Sequence, residues 1–410
     1  MSNTNLTIDM VTKEAMRIAH EKMTFVGTVN REYDESFAKT GAKHGSTLRV
    51  RKPNQFSRRQ GSRVMDVQDV ESTAVTVTLA TQDGVDMRFN SSELALDIDE
   101  FSKRYIEPAM SVLVSGIDSD CIATATKDTY NLTGTAGTVV GSSSGDLTAI
   151  YQARSLLNTC LAPKDRRVLQ LDSITMAAIV NGNKAIFNPS PDVSKAFREG
   201  FFARSAMADW YENERTYVHT VGADVTAATA ADATITDGGG SGDTATITWS
   251  ASNTIEYGDV FTLPKVYRCH PETKANTGHL MQFVVTADST GTTSVISPRI
   301  YWSGPKQNVC NATGGASVAA DFDSETATFV GTASTAYRQN LMYHPDAFTF
   351  VTADLPLMDD AHKCSRMTQD GLSLRVWQAS DIRNDELLTR IDILYGFKTI
   401  RPEWACKITN

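Results

Sequence analysis

The sequence predicts an α+β protein that carries an all-β domain inserted into one of its loops. Three observations predict this. From about Val221 to Tyr337 the 410-residue chain turns to Thr, Ser, Ala and Gly, with short β-type runs and no helical period, while both flanks mix helical and strand patterns. Asp97 to about Tyr130 carries the longest helical signal. Two β-type runs, Ser46–Val50 and Thr73–Leu79, are joined by about twenty polar residues, which reads as a long projecting hairpin. Inserted domains sit where the surface of a host domain tolerates them.

The elements follow in order. Thr7 to about His20 places Ile8, Val11, Ala15, Ile18 and Ala19 on one helical face. Phe25 to Phe37 reads as an irregular arm. In Thr73–Leu79, Val75, Val77 and Leu79 alternate with Thr76 and Thr78, the period of a half-buried strand. Within the long helical stretch Phe101 and Tyr105 are four apart, and Leu113, Ile117 and Cys121 continue the spacing. Asp97 or Asp99 can cap its start, and Pro108 suggests that a second helix begins there, because proline suits a first turn. A helix from Pro108 to about Thr126 is roughly 30 Å long at about 1.5 Å per residue, a structural spine.

Asn131–Gly145 is a Gly/Thr/Ser loop with a strand-like Thr138–Val140. Asp146 caps a helix to about Leu161, closed by Pro163. Val168–Leu171 reads as a buried strand and Asp172 caps a short helix to about Ile179. Asn181–Pro191 is loop, and Asp192 opens a short helical piece to about Glu199. Beyond the β-rich block, Asn340–Thr352 and Leu372–Gln378 read as strands. Leu387–Ile400 fits strand or helix by periodicity alone.

Composition narrows the function classes. Apolar residues make up 41% of the chain, enough for a sizeable core. A net charge of −9 argues against a protein whose main task is to hold nucleic acid, since such proteins show a basic footprint. No apolar run approaches the roughly 18–20 residues that span a bilayer. The opening MSNTNLTIDMVTKEAM lacks the basic and apolar regions of a signal peptide, so a soluble protein made in a cytoplasm is expected. The six cysteines, Cys121, Cys160, Cys269, Cys310, Cys364 and Cys406, form no CxxC pair and are expected to be free thiols. Cys269, His270, His279 and Cys310 match no metal-ligand spacing. No metal or cofactor is expected.

Catalytic motifs are weak. Gly141–Gly145 is formally G-x-S-x-G between a strand-like run and a helix, the context of a nucleophile elbow. In that reading Ser143 is the nucleophile and one of His219, His270, His279, His344 or His362 is the base. A flexible GSSSG linker is preferred, because an elbow is a strained turn packed in a core and this stretch has little to pack. Asp321, Asp323 and Glu325 resemble the start of a calcium loop, but Thr326 stands where that loop needs Gly, and no bidentate Glu follows. There is no P-loop, HExxH or dinucleotide fingerprint. No catalytic residue is assigned.

One charge cluster stands out. Arg49, Arg51, Lys52, Arg58, Arg59 and Arg63 fall between Thr47 and Met65 with no acid among them. Phe56 is the lone interleaved aromatic. Contact with an acidic surface of a neighbouring subunit, where the planar guanidinium pairs bidentately, is preferred to a solvated loop and to phosphate binding.

Several short blocks carry a resemblance to a family. They are Leu6–Met10 (LTIDM), Phe25–Arg31 (FVGTVNR), Gly45–Arg51 (GSTLRVR) and Ile106–Met110 (IEPAM) in the first part of the chain. Towards its end they are His344–Phe348 (HPDAF), Gly371–Trp377 (GLSLRVW), Arg390–Gly396 (RIDILYG) and Arg401–Glu403 (RPE). In order and texture these flanks, Leu6–His219 and Asn340–Ile408, resemble the coat (major capsid) proteins of short-tailed bacteriophages, the podoviruses. The resemblance implies the tailed-phage major capsid fold: residues 1–46 as N-terminal arm, 47–90 as extended β-hairpin loop and 91–144 as peripheral domain with the spine helix. Residues 145–220 and 339–410 then form the axial domain and the return to the peripheral sheet, and 221–338 the inserted β-rich domain.

The function it implies is a non-enzymatic coat protein of the virion. Hexamers and pentamers of the chain would form an icosahedral shell around double-stranded DNA, assembled in the host bacterial cytoplasm with a scaffolding and a portal protein. The DNA would be enclosed without sequence-specific binding, no membrane is involved, and the procapsid would mature. An acidic balance suits such a container, because packaged DNA must slide. The alternatives are a β-rich phage decoration or adhesin-type binding protein and, further off, a serine hydrolase using Ser143.

Overall fold

The computed structural model describes residues 8–31, 47–56, 58, 61, 65, 67, 74–90, 105–142, 146–182, 204–225, 243–314, 325–357, 363–381, 383–384 and 386–410. The chain divides into two compact units. One comprises Met1–Val50, Val75–Cys121 and Phe348–Ile400, the other Arg51–Ala74, Ile122–Ala347 and Arg401–Asn410.

The first unit is built on an antiparallel sheet in the order Phe348–Ala353, Glu386–Thr399, Leu372–Asp381, Lys363–Gln369, with Thr81–Asn90 also paired to Glu386–Thr399. The ambiguous stretch Leu387–Ile400 is therefore strand: alternation sends Ile391, Ile393 and Tyr395 into the core. The helix Ile8–Lys22 packs on the two strands that end this sheet, Leu372–Asp381 and Lys363–Gln369. It buries Val11, Ala15, Ile18 and Ala19, the face read from the sequence. Phe25, Phe348 and Phe397 meet with ring centroids 5.8–6.0 Å apart.

Thr47–Arg51 and Ala74–Thr78 pair in a two-stranded sheet, as the hairpin reading expects. The helix Glu107–Asp128 takes Pro108 into its first turn. The proposed caps Asp97 and Asp99 lie outside the described residues.

Asp118 organises the turn that follows the first helix. Its fully buried carboxylate accepts hydrogen bonds from the N–H groups of Thr24, Phe25 and Val26 at 2.9, 3.3 and 2.9 Å and from the Thr24 hydroxyl at 2.8 Å. Those amides open the short helix Phe25–Thr28, where backbone donors lack intrahelical partners.

The second unit holds two sheets. One runs Leu132–Thr133, Ala405–Thr409, Ala336–Tyr343, Arg167–Leu171, Ala208–Glu212, Arg204–Ser205, with Val218–Thr220 further along Ala336–Tyr343. Helices Thr148–Thr159 and Ser173–Gly182 contribute to its core, where Ile150, Leu157 and Met176 meet Leu169, Trp210, Met342 and Ile408. The helix Ser173–Gly182 starts after Asp172 as read from the sequence, whereas Leu147 rather than Asp146 takes the N-cap position of Thr148–Thr159. Asp146 Oδ1 accepts from the Thr148 N–H at 2.8 Å, and Asp172 Oδ2 from the Ile174 N–H at 3.2 Å.

Two expectations are corrected. Asn340–Thr352 is not one strand: Ala336–Tyr343 and Phe348–Ala353 belong to different sheets, separated by the 3₁₀ turn Pro345–Ala347, where proline cannot donate to a ladder. Thr138–Val140 forms no strand; the Ser142 N–H closes a turn on the Val139 carbonyl at 3.1 Å. The helical piece read over Asp192–Glu199 lies outside the described residues.

The other sheet comes wholly from the Thr/Ser/Gly-rich block, in the order Val309–Cys310, Val260–Cys269, Asn276–Val285, Thr293–Ser297, Ala245–Thr248, with Thr328–Phe329 also on Val260–Cys269. Aromatic rings cluster within its mainly aliphatic core. Phe261 stands 5.4 Å from Trp249, 5.7 Å from Phe283 and 5.1 Å from Phe329 between ring centroids. Trp249 Nε1 satisfies its polar edge on Ser294 Oγ at 2.8 Å.

Polar contacts join this block to the rest of the second unit. Lys407, 2% exposed, donates from Nζ to the Gly258 carbonyl at 2.7 Å. Burial lowers its amine to about 7, although Asp259 and Asp128 pull the other way. Asp259 meets His219 Nε2 at 2.8 Å and accepts from the N–H groups of Gly222 and Glu256. Tyr257 donates its hydroxyl to Asp128, and Lys127 lies 5.2 Å from the ring centroids of both Tyr217 and Tyr257.

Candidate assembly surface

In Thr47–Arg51 exposure alternates, so Arg49 and Arg51 face out while Val50 is buried with Val77, Leu79 and Val351. Arg58 is exposed too. Among the described residues no ion pair forms to Arg49, Arg51 or Arg58. Lys52 differs: its Nζ meets Asp243 Oδ2 at 2.6 Å, so this one cation of the cluster has an acidic partner within the chain. Arg59 and Arg63 lie outside the described residues.

The same stretch exposes apolar side chains, of which the sequence reading named Phe56 and passed over Met65 and Val67. Phe56 is 59%, Met65 77% and Val67 76% exposed. Their signal was present as large apolar residues in an otherwise polar loop, and it matters because exposed apolar groups among basic ones mark interaction surfaces.

The second unit also contains a cleft of about 350 Å³, bordered by Lys52–Gln55, by Tyr130, Cys160 and Arg401–Trp404, and by residues of the β-rich block. Burial raises the Tyr130 hydroxyl, the Cys160 thiol and the Glu403 carboxyl, the last partly offset by Lys52. Arg268 crosses beneath, donating from Nη1 to Cys160 Sγ at 3.0 Å and from Nη2 to Asn131 Oδ1 at 2.6 Å.

Of the hydrolase reading, only candidate bases fall among the described residues. Ser143 and His362 lie outside the described residues. His219 is engaged with Asp259 in a buried seam. His344 packs edge-on against Trp404 at 5.7 Å, and burial lowers its imidazole. Glu325 of the rejected calcium loop pairs with Lys265, while Asp321 and Asp323 lie outside the described residues. Among the described residues no group of His, Cys, Asp and Glu is placed to hold a metal ion. No described helix is long and apolar enough to cross a membrane.

Residues 67–407 match the model of a protein family described as P22 coat protein, gene protein 5. The chain belongs to the P22 coat protein family. Solved structures give weaker likenesses. A structure titled Mycobacterium phage Che8 is 12% identical, with 94% of this chain and 90% of that one covered and a TM-score of 0.49. One titled as the capsid structure of the cyanophage P-SCSP1u is 13% identical, with 94% and 91% covered and a TM-score of 0.46. The capsid of Ralstonia phage GP4 is 7% identical, with 95% and 91% covered and a TM-score of 0.46. A search of the curated proteins finds no match.

This coat protein is thus a major capsid protein, a structural component of a bacteriophage virion that forms the shell by association with copies of itself. Its functional surface is accordingly a set of contacts, and the exposed basic and apolar residues between Arg49 and Val67 are candidates for one of them.

Proposed function

We propose that the coat protein closes an icosahedral shell of hexamers and pentamers, and that the segment carrying Arg49, Arg51, Arg58, Arg59 and Arg63 lies against an acidic surface of the adjacent copy. The observation that carries this reading is the exposure of Arg49, Arg51 and Arg58, and of Phe56, Met65 and Val67 in the same stretch of sequence, on a chain whose net charge of −9 offers acidic partners. Aromatic residues, Met and Arg are the residue types enriched at interface centres. Head-to-tail contacts of this kind close into rings under rotational symmetry, and obligate ones bury thousands of Å².

The layout proposed with it is an N-terminal arm to residue 46, an extended loop over 47–90, a peripheral domain with the spine helix over 91–144, an axial domain over 145–220 and 339–410, and an inserted domain over 221–338. The separate sheet of residues 245–329 supports the last assignment, with Tyr130 and Leu132 of the flanking chain packed into its core. The shell encloses double-stranded DNA of a short-tailed phage without reading its sequence, and assembles in the bacterial cytoplasm with scaffolding and portal proteins. The protein performs no catalysis.

Negative-stain electron microscopy tests the reading, on the protein expressed alone and together with a scaffolding protein from the same phage. Closed or aberrant shells in either sample support it. Monodisperse monomers in both would overturn self-assembly and bring a decoration role forward.

A further inference from the structure

We infer that the β-rich block is clamped to its host at two places, so that block and host strands move as one body instead of swinging about the connecting chain. Relative motion is the default for neighbouring domains unless their interface is large and apolar. The first clamp is the pair of connectors. Val218, His219 and Thr220 lie opposite Arg338, Tyr337 and Ala336, and the pairing runs on from the Val221 N–H to the Thr335 carbonyl at 3.1 Å and from the Ser334 N–H to the Val221 carbonyl at 3.0 Å. Asp259 of the block closes this clamp: one carboxylate oxygen meets His219 Nε2 at 2.8 Å, and the other accepts from the Gly222 N–H at 3.1 Å.

The second clamp is the segment 127–132, where the helix Glu107–Asp128 ends. Gln282 turns its side-chain amide onto Leu132, accepting from the Leu132 N–H at 2.9 Å and donating to the Leu132 carbonyl at 2.8 Å. That is the pair of bonds a neighbouring strand residue would make, and it falls on Leu132–Thr133, the end strand of the host sheet. Arg268 donates to Asn131 Oδ1 at 2.6 Å, and Asn131 is itself tied to the host strand through Nδ2, which donates to the Ala405 carbonyl at 2.9 Å. Tyr257 donates to Asp128, and Lys127 lies over the rings of Tyr217 and Tyr257. Tyr130 and Leu132 are buried in the apolar cluster that contains Phe261 and Phe283, so one core runs through both partners.

Connectors zipped to each other would by themselves leave the block free to rotate. A second attachment, through a different stretch of chain, removes that rotation. The turn at Tyr257–Asp259 reaches both clamps. Gly258, at a φ of +106°, lies so close that a Cβ there would come 3.2 Å from Lys127 Cγ and 3.3 Å from His219 Cε1, one residue of each clamp. Its carbonyl accepts from Lys407 Nζ at 2.7 Å. His219, Asp259, Asn131 and Lys407 are all buried, and polar groups buried in such a seam cannot part without losing partners that water does not at once replace. A contact that the block makes with another copy in the shell is therefore carried directly into the host strands.

Amide relaxation measured by nuclear magnetic resonance on the deuterated, unassembled full-length protein is the test. Referred to the tumbling of the host strands Ala336–Tyr343 and Ala405–Thr409, amides of the block strands are expected to keep order parameters of about 0.85, the level of rigid backbone. Leu132→Ala combined with Gln282→Ala removes the apolar plug and the amide pair but leaves the connectors intact, and the block amides are then expected to fall below about 0.6. His279→Ala, at an exposed position on the same strand as Gln282, is expected to change nothing. Hydrogen exchange at the Leu132 amide gives a second reading that does not need the double variant: protection in the wild type, and exchange about tenfold faster in Gln282→Ala, the strength of one hydrogen bond. Block amides that move independently of the host in the wild type, a folded double variant as rigid as the wild type, or an unprotected Leu132 amide each overturns the proposal.

Discussion

Asp118 Oδ2 accepts both the backbone N–H and the hydroxyl of Thr24, at 2.9 and 2.8 Å, across 94 residues of sequence. One buried carboxylate in the spine helix thereby holds the chain where it leaves the first helix. Asp118→Ala orphans three amides, and an unsatisfied buried donor costs about 1–3 kcal/mol. A loss of at least about 3 kcal/mol in urea unfolding of the unassembled protein is expected, with Asp118→Asn losing less because its carbonyl still accepts. Wild-type stability in the alanine variant would show that the cap is idle.

Gly396 lies where a Cβ would come within 2.4 Å of the Thr78 carbonyl oxygen, a backbone atom that cannot swing away. Gly396→Ala is expected to cost about 1–3 kcal/mol, the range of overpacking. Gly116 has nothing within 4 Å and is exposed in the interior of the helix Glu107–Asp128. There Gly116→Ala is expected to gain about 0.5–1 kcal/mol of helix propensity. Opposite shifts in Tm of the unassembled protein check the pair.

Lys407 predicts a pH dependence. Its folded-state value is about 7, against 10.5 for an ordinary lysine. Between these values the unfolded chain binds one more proton than the native one at this site, so stability rises with pH across the window. The limiting slope is about 1.4 kcal/mol per pH unit. Below about 7 both states are charged and the penalty is constant. Urea unfolding of wild type minus Lys407→Met from pH 7 to 10 isolates the effect; a flat difference would rule out a neutral buried amine.

Arg58→Glu combined with Arg59→Glu is expected to leave the monomer folded and to weaken assembly, since the pair would then repel the acidic neighbour proposed to face it. Circular dichroism and shell yield by sedimentation read the two effects separately. Normal shells from the double variant would remove this segment from the interface.

Residues 221–338 expressed alone are expected to fold, because their six described strands form one sheet around Trp249, Phe261, Phe283 and Phe329, with only Tyr130 and Leu132 of that buried cluster supplied from outside the block. A β-type circular dichroism spectrum with a cooperative melt is the expected result, and an unfolded spectrum would count against an autonomous domain. The isolated piece should be less stable than in the full chain, since Lys407 and Asp128 no longer reach Gly258 and Tyr257.

The helices were legible because each carries its own period and cap: Val11, Ala15, Ile18 and Ala19 mark one face, and Asp146 and Asp172 mark two starts. Leu387–Ile400 was not, since its apolar residues fit a helical or a strand period alike and its identity comes from pairing with three neighbouring strands. The break at Pro345 was visible in the sequence but masked by apolar residues on either side. At the candidate surface the arginines were legible as charge. The partner of Lys52 was not, because Asp243 stands 191 residues away and only folding brings them together.

The strand Ala405–Thr409 lies between Leu132–Thr133 and Ala336–Tyr343 rather than at an edge of its sheet. During synthesis, residue 133 therefore waits for residue 408, its register partner, to leave the ribosome. At about 5–20 residues per second that delay lasts tens of seconds. Nascent chains crowded on one messenger cannot present a finished second unit to each other, so premature association on the polysome is restrained by the order in which the strands are made.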